Sequence, residues 1–222
     1  MVDFVGAGCG AADLITVRGK KLIENADVLI YAGSLVNPEL TEYAKKSCEI
    51  YNSAYMTLDE VIDVMKKAEA EGKNTVRLHT GDPSLFGAIR EQTDRLDELG
   101  IAYRICPGVS SFCGAAAALK AEYTLPEVSQ SVIITRMAGR TPVPEKESLE
   151  SLASHGTSMV IFLSAGMTAE VSERLQMGGY TAETPAALVY KATWADEKVC
   201  RCTVGTLAET AEKNGINKTA LI

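Results

Sequence analysis

Short apolar segments alternate with helix-like segments through the first half of the chain. Five segments have the β-branched composition of strands, and they read DFVG, DVLIY, CEIYN, NTVRLH and AYRIC. Helical patterning lies between them, for example in TLDEVIDVMKKAEAEG and GAIREQTDRLDELG. Because strands that alternate with helices form a mostly parallel sheet covered by helices, the chain is predicted to have an α/β fold.

Capping residues mark several helix ends in this pattern. Asp13 is expected to cap the first helix, and Thr57 with Glu60 matches a capping box. Gly72 and Gly100 are expected to end the helices that precede them, since glycine readily takes the left-handed backbone of a helix C-terminus.

The strand pattern restarts after a polar stretch that contains Pro126. Four further strand-like segments read SVIIT, SMVIFL, AALVYKA and KVCRCTVG, and the last two, separated by TWADE, predict a hairpin in a mixed sheet. We therefore expect two α/β domains, residues 1–122 and 123–222. The final segment, NKTALI, looks like the start of a strand, so the natural chain is expected to continue beyond it.

Composition narrows the classes of function. Of the 222 residues, 46% are apolar and 23% charged, with a net charge of -7 from scattered acids and bases, which argues against a nucleic-acid-binding face. No apolar run is as long as a membrane span and no signal peptide opens the chain, so a cytoplasmic protein is expected. The six cysteines form no CxxC pair and have no zinc-site spacing with histidines, so no bound metal is expected.

A glycine-rich turn follows the first strand, in VGAGCGA at residues 5–11. Gly6, Gly8 and Ala11 match the GxGxxG/A pattern of dinucleotide-binding proteins. That mechanism also requires an acid at the end of the second strand, where this chain has Ala32. A nicotinamide-dependent oxidoreductase and a plain tight turn both remain as alternatives.

Two more loops of this kind follow the fourth and fifth strands, in HTGDPSLFG and CPGVSSF. Glycine lets a ligand approach the backbone closely, Pro83 stiffens the turn, and the Asp82 carboxylate can accept hydrogen bonds. Ser110 and Ser111 add small hydroxyls at the start of a helix. Since both loops are expected at the carboxyl edge of one sheet, they predict a ligand pocket there.

The order of these segments resembles the tetrapyrrole methylase family. The resemblance runs from VGAGCGAADLITVRGKKLIENADVLIY through TGDPSLFG and PGVSSF to PAALVYKATW and TVGTLAE, nearly the whole chain. It implies two α/β domains with a cleft between them, S-adenosylmethionine as cofactor, S-adenosylhomocysteine as product, and a homodimer. YAGSLVNPEL, MAGRTPVPE and VYKATWADEK resemble the members that methylate C11 of precorrin-4 or cobalt-precorrin-4 in cobalamin biosynthesis.

Site residues follow from the resemblance by matching position. The implied cofactor-binding residues are Cys9, Thr80, Gly81, Asp82, Leu85, Phe86, Ser110, Ser111, Leu163, Ser164, Ala187 and Ala192. Where a uroporphyrinogen-methylating relative has an acid after the tyrosine of the second strand, this chain has Ala32, so no catalytic acid or base is transferred.

A substrate with acetate and propionate arms is expected to meet cations. Arg136 is the main candidate, with Arg140 and Lys191 as others. Tyr31, Ser34 and His79 are weaker candidates for substrate contacts, and His79 could instead cap the sheet through a backbone bond. Methylation of another ring position and a non-catalytic binding protein are the remaining alternatives.

Overall fold

The protein is described by a computed structural model that covers residues 1–139 and 141–222, with no description of the Ser34 side chain. These residues divide into two compact units, Met1–Cys113 (unit 1) and Gly114–Ile222 (unit 2). Strands and helices alternate in both, as predicted for an α/β fold. The boundary expected between residues 122 and 123 stays a prediction.

Unit 1 is built around one parallel sheet. Its strands are β1 (Val2–Gly6), β2 (Val28–Tyr31), β3 (Glu49–Asn52), β4 (Thr75–His79) and β5 (Tyr103–Cys106). Their spatial order is β3-β2-β4-β1-β5, and every pairing is parallel. The helices are α1 (Val17–Glu24), α2 (Leu58–Ala70), α3 (Arg90–Glu98) and α4 (Ser111–Leu119), which begins here and continues into unit 2. All five strands predicted for the first half are confirmed.

Both faces of this sheet are buried. On one face Phe4 and Ile30 pack with Met65 of α2 and Leu96 of α3. On the other face Val5, Leu29 and Leu78 pack with Ile23 of α1. Each fully buried side chain of this size stabilises the fold by roughly 1.5–3 kcal/mol. Packing on both faces therefore holds the sheet, and with it the strand ends that carry the loops, in place.

The helix ends match the predictions except at the first helix. Thr57 and Glu60 form the predicted capping box. Gly72 and Gly100 take the left-handed backbone, with φ of 69° and 65°. The prediction for Asp13 is wrong, because Asp13 lies in a separate short 3₁₀ helix, Ala12–Leu14, and the extended residues after it delay the start of α1.

The cap of α1 is Thr16, whose Oγ1 accepts a hydrogen bond from the backbone N of Gly19 at 3.0 Å. The strand–helix alternation also predicts a helix between β2 and β3, and this segment contains a 3₁₀ helix, Pro38–Tyr43, rather than an α-helix.

Unit 2 combines parallel and antiparallel pairs. β6 (Val132–Arg136) and β7 (Ser158–Phe162) are parallel, while β8 (Pro185–Tyr190) pairs antiparallel with β9 (Lys198–Thr203) and with β10 (Ala220–Leu221). The backbone N of Ile161 donates to the carbonyl of Ile222 at 2.8 Å, which links β7 to the β10 end of the chain. The helices are α5 (Leu149–Ala153), α6 (Thr168–Met177) and α7 (Leu207–Lys213). The predicted hairpin is confirmed, and the parallel and antiparallel pairs lie in two separate sheets, β6-β7 and β10-β8-β9.

Within residues 1–139 and 141–222, every helix is too short or too polar to span a bilayer.

Candidate functional site

Three loops meet at the carboxyl edge of the unit 1 sheet. They are the β1 loop (residues 7–10), the β4 loop (residues 80–89) and the β5 loop (residues 107–110). Because β1 lies between β4 and β5, the three loops follow neighbouring strands. Ligands of open α/β sheets bind at this edge, so the loops predicted from sequence are brought together where a ligand is expected.

The β1 and β4 loops are joined by their backbones. The N of Gly81 donates to the carbonyl of Gly8 at 3.0 Å, and the N of Gly8 donates to the carbonyl of Gly81 at 3.3 Å. Both glycines have positive φ, 85° at Gly8 and 61° at Gly81, a conformation that other residues adopt only with strain. The backbone conformation at this pairing therefore explains why both positions are glycine.

Gly6 and Gly108 are required for a different reason, which is the close approach of the loops. A Cβ on Gly6 would lie 2.5 Å from the Cα of Gly108, and a Cβ on Gly108 would lie 2.2 Å from the carbonyl oxygen of Gly81. No side chain fits at either position. The glycines thus let three backbones pack against each other, a role that the GxGxxG/A match did not indicate.

Asp82 ties the β4 loop to the β5 loop. Its Oδ2 accepts a hydrogen bond from the N of Gly108 at 2.8 Å, and its Oδ1 accepts bonds from the N of Ser84 at 2.8 Å and from the Ser84 hydroxyl. Burial alone would raise the pKa of Asp82, but these hydrogen bonds outweigh burial and lower the pKa below its usual value. The carboxylate therefore stays ionised and has protein donors as partners.

The other unit 1 residues implied by the resemblance surround this junction. Cys9 and Ser110 are buried, and Thr80, Leu85 and Ser111 are partly exposed. A Cβ on Gly81 would lie 3.5 Å from the Cα of Ser110 and 3.6 Å from the N of Ser111, so these residues are direct neighbours. Phe86 is exposed and has a left-handed backbone, with φ of 54°.

Four implied cofactor residues lie in unit 2. Leu163 follows β7, is 66% exposed and has a φ of 53°. Ser164 is fully buried; its hydroxyl donates to the carbonyl of Phe162 at 2.7 Å and accepts from the N of Met137 at 2.9 Å. Ala187 lies within β8, and Ala192 is buried just after that strand. Within unit 2, Ser164 thus connects the ends of β6 and β7.

Arg136 ends β6 and binds main-chain carbonyls. Its guanidinium donates to the carbonyls of Met137, Thr141 and Pro142 at 3.0–3.1 Å, so it fastens the segment that follows β6. Lys191, by contrast, pairs with Asp196 at 2.6 Å. The candidate Arg140 lies outside the described residues.

Lys191 also has aromatic neighbours. Its Nζ lies 5.4 Å from the ring centroids of both Tyr190 and Trp194. The ammonium charge is therefore partly satisfied within the hairpin tip, unlike the guanidinium of Arg136, which binds only neutral groups in the contacts described above.

The weaker substrate candidates are His79, Tyr31 and Ser34. His79 is 4% exposed and stacks on Phe4 with ring centroids 5.8 Å apart, and its Nε2 has no hydrogen-bond partner among the described residues. Burial, and after it the charge of Arg77, lowers the pKa of His79 to about 3. The interior position does not favour a substrate contact, and the His79 carbonyl accepts from the N of Ala7 at 2.7 Å, as a sheet cap would. Tyr31 is partly buried, and the side chain of Ser34 lies outside the described residues.

Within the part of the chain that is described, no group of three or more His, Cys, Asp or Glu side chains is arranged to hold a metal ion. The arrangement at the sheet edge instead offers main-chain amides and carbonyls, small hydroxyls and one carboxylate, which suit a polar organic ligand.

Comparisons with known proteins agree with this geometry. Residues 1–208 match the family Tetrapyrrole (Corrin/Porphyrin) Methylases. The chain is 60% identical over 221 residues to the cobalt-precorrin-4 C(11)-methyltransferase of Methanocaldococcus jannaschii, which covers 100% of this chain and 85% of that protein. It is 46% identical over 222 residues to the precorrin-4 C(11)-methyltransferase of a Sinorhizobium species, and this match covers 100% of this chain and 87% of that protein.

A solved structure agrees as well. The X-ray structure of a cobalamin biosynthetic enzyme, cobalt precorrin-4 methyltransferase, matches with a TM-score of 0.97 at 46% identity, covering 99% of this chain and 92% of that one. The α/β fold and the family resemblance predicted from sequence are thereby confirmed. The chain belongs to the tetrapyrrole methylase family.

Proposed function

We propose that this chain transfers a methyl group from S-adenosylmethionine to C11 of precorrin-4 or cobalt-precorrin-4 in cobalamin biosynthesis. The observation that carries the proposal is 60% identity across the whole chain with a relative named for that reaction. The glycine junction of the β1, β4 and β5 loops supports it by offering a ligand site where this fold class binds its ligands.

The charges of the three loops fit a cationic cofactor. The β1, β4 and β5 loops contain one acid, Asp82, and no lysine or arginine. A dinucleotide would bring a negatively charged pyrophosphate, whereas S-adenosylmethionine brings a positive sulfonium and neutral nucleoside hydroxyls. The nicotinamide alternative is also disfavoured because no acid stands at the end of β2, where Ala32 lies, to bind the ribose hydroxyls of a dinucleotide.

The cofactor, when bound, supplies a methyl group that its own sulfonium charge activates. The main-chain groups near Gly81 and Ser110 hold and orient the nucleoside, and Asp82 keeps the β4 and β5 loops in register. Thr80, Leu85, Phe86, Cys9 and Ser111 complete the unit 1 contacts. The protein's work is thus alignment and exclusion of water rather than acid–base chemistry.

Four residues of unit 2 are further candidates for cofactor binding in this proposal. Leu163, Ser164, Ala187 and Ala192 are assigned by matching position to the family. The left-handed backbone of Leu163 supports its assignment, because exposed non-glycine residues with strained backbone often mark ligand sites.

Arg136 supplies positive charge for the carboxylate arms of the substrate. Its hydrogen bonds to three neutral carbonyls leave its charge uncompensated by those partners. An Arg side chain can bind a carboxylate with its remaining N–H groups, so Arg136 both orders the segment after β6 and attracts the substrate.

The experiment is methyl transfer to defined substrates. The full chain is incubated with ¹³C-methyl S-adenosylmethionine and either precorrin-4 or cobalt-precorrin-4, and NMR assigns the labelled carbon. Label at C11 is expected, and the faster substrate identifies the metal state. Label at another carbon would indicate a different family activity, and cofactor binding without label would indicate a non-catalytic protein.

Two further expectations belong to the proposal, a homodimer and a cytoplasmic location. Light scattering coupled to size exclusion is expected to give twice the 23.7 kDa chain mass. Fractionation of the source cells is expected to recover the chain in the cytoplasmic fraction.

A further inference from the structure

A buried arginine lies beneath the β4 loop. Arg77, in β4, is 7% exposed on the face of the sheet that packs against α2 and α3. Burial is the one cause that lowers the pKa of its guanidinium, to about 10, so the group remains charged at neutral pH. A buried charge destabilises the fold unless it makes good hydrogen bonds, so the hydrogen-bond partners of Arg77 indicate its role.

The hydrogen bonds of Arg77 lead to the β4 loop through one glutamine. Nε of Arg77 donates to Oε1 of Gln92 at 3.0 Å, and Nη1 donates to the carbonyl of Ile30 at 3.3 Å. Gln92, on α3 and 6% exposed, donates from Nε2 to the carbonyl of Ala88 at 3.1 Å. The Arg77 guanidinium thus fixes which end of the Gln92 amide faces the loop, because only the oxygen can accept from arginine.

The segment held in this way is strained. Phe86 and Ala88 have positive φ, 54° and 49°, although neither is glycine. Between them, a Cβ on Gly87 would lie 2.2 Å from the carbonyl oxygen of Pro83, so the loop folds back on itself closely. Such a conformation persists only when the surroundings enforce it.

We propose that Arg77 and Gln92 are positioning residues that hold residues 86–88 of the β4 loop in the conformation that receives the ligand. The link runs from the β4 guanidinium through the Gln92 amide to the Ala88 carbonyl. It fixes the backbone beside Leu85 and Phe86 before a ligand arrives, which reduces the ordering cost of binding. The identity of the ligand rests on the proposed function, whereas the holding of the loop does not.

The substitution Gln92→Glu keeps the hydrogen bond from Arg77 and removes the one to Ala88. A carboxylate still accepts from Arg77, and more strongly, but it has no N–H for the carbonyl of Ala88. The control is Leu96→Val, at a fully buried position on the same helix that takes no part in the link. It destabilises unit 1 through packing alone.

Amide hydrogen exchange of the full, ligand-free chain is the first readout. Peptides that cover residues 80–89 are expected to exchange about tenfold faster in Gln92→Glu, which is the weight of one lost hydrogen bond, and to be unchanged in Leu96→Val. Unchanged exchange in Gln92→Glu would overturn the proposal. Equal acceleration in both variants would also overturn it, because the effect would then reflect general loss of stability.

The affinity for S-adenosylhomocysteine is the second readout, measured by isothermal titration. Gln92→Glu is expected to raise the Kd about tenfold, and Leu96→Val to leave it unchanged. An unaltered Kd in Gln92→Glu would overturn the positioning role while leaving the proposed cofactor in place. If the unmodified chain gave no heat, the proposed cofactor would fail, and the exchange data would still decide whether the link holds the loop.

Discussion

The carboxylate of Asp82 accepts a hydrogen bond from the backbone N of Gly108 at 2.8 Å, and so joins the loops that follow β4 and β5. The acid of the Gly-Asp-Pro turn therefore has hydrogen-bond partners within the protein, while its contact with the cofactor stays a prediction. We therefore expect main-chain groups, whose spacing depends on Asp82, to hold the proposed ligand.

Replacement of Asp82 by alanine tests that dependence. Asp82→Ala removes the acceptor for Gly108 and Ser84, so the Kd for S-adenosylhomocysteine is expected to rise about tenfold or more, with a stability loss of about 1–3 kcal/mol. Titration calorimetry and thermal unfolding measure the two effects. Asp63→Ala, at an exposed position of α2, is the matched control and should change neither. Normal affinity in Asp82→Ala would contradict the inter-loop role.

The glycine contacts give a second prediction. Gly108→Ala places a Cβ 2.2 Å from the carbonyl oxygen of Gly81, so the loops must separate, and binding of S-adenosylhomocysteine is expected to be lost. Gly100→Ala is the control, because Gly100 is left-handed, with φ of 65°, and a Cβ there has no neighbour within 4 Å. It should cost about 1 kcal/mol of stability and leave binding intact. Equal affinities for both variants would show that the junction is not the binding site.

His79 predicts a pH dependence of stability. Its folded pKa, about 3, lies below the ordinary value of 6.5, so only the unfolded chain takes up this proton as the pH falls below 6.5. The contribution of the neutral His79 side chain to the free energy of unfolding is fully present above pH 6.5 and is lost progressively as the pH falls to about 3. By pH 5 the free energy of unfolding is expected to be about 2 kcal/mol lower.

Urea unfolding at pH 7 and pH 5 measures this loss. His79→Phe, which keeps an aromatic ring on Phe4, should lose about 2 kcal/mol less than the unmodified chain between the two pH values. His155→Gln, at an exposed position, should behave like the unmodified chain. An unchanged pH dependence in His79→Phe would mean that the buried imidazole does not remain neutral.

Replacement of Arg136 is expected to affect substrate binding but not cofactor binding. Arg136→Ala releases the carbonyls of Met137, Thr141 and Pro142 and removes a cation, so the KM for the tetrapyrrole is expected to rise about tenfold. The Kd for S-adenosylhomocysteine should stay within error of the unmodified chain. Lys198→Ala, at an exposed hairpin position, is the control for loss of a positive charge. Parallel losses in substrate and cofactor affinity would count against the assigned role.

Local signals in the sequence predicted local structure well. The Thr57–Glu60 capping box, the glycine helix ends at Gly72 and Gly100, and the β8–β9 hairpin depend on residues close together in the chain, and all are present. Asp13 is not the cap of α1, although aspartate is as a residue type at least as good a cap as Thr16, because intrinsic preference does not determine where the helix begins.

Long-range contacts could not be predicted in the same way. The packing of Gly6 against Gly108 joins residues about a hundred positions apart, and the sequence motif suggested a ligand contact instead. Arg77 did leave a signal, a charged residue in the middle of the apolar strand TVRLH. Its partner Gln92 lies on a helix whose register against the sheet emerges only in the folded chain.

A crystal structure of the chain grown with S-adenosylhomocysteine would show where the nucleoside binds. We expect density for the nucleoside against the main chain of Gly81 and Ser110, with the Asp82–Gly108 hydrogen bond intact. Density found only away from the β1, β4 and β5 loops, in crystals where those loops are open to the ligand, would contradict this expectation.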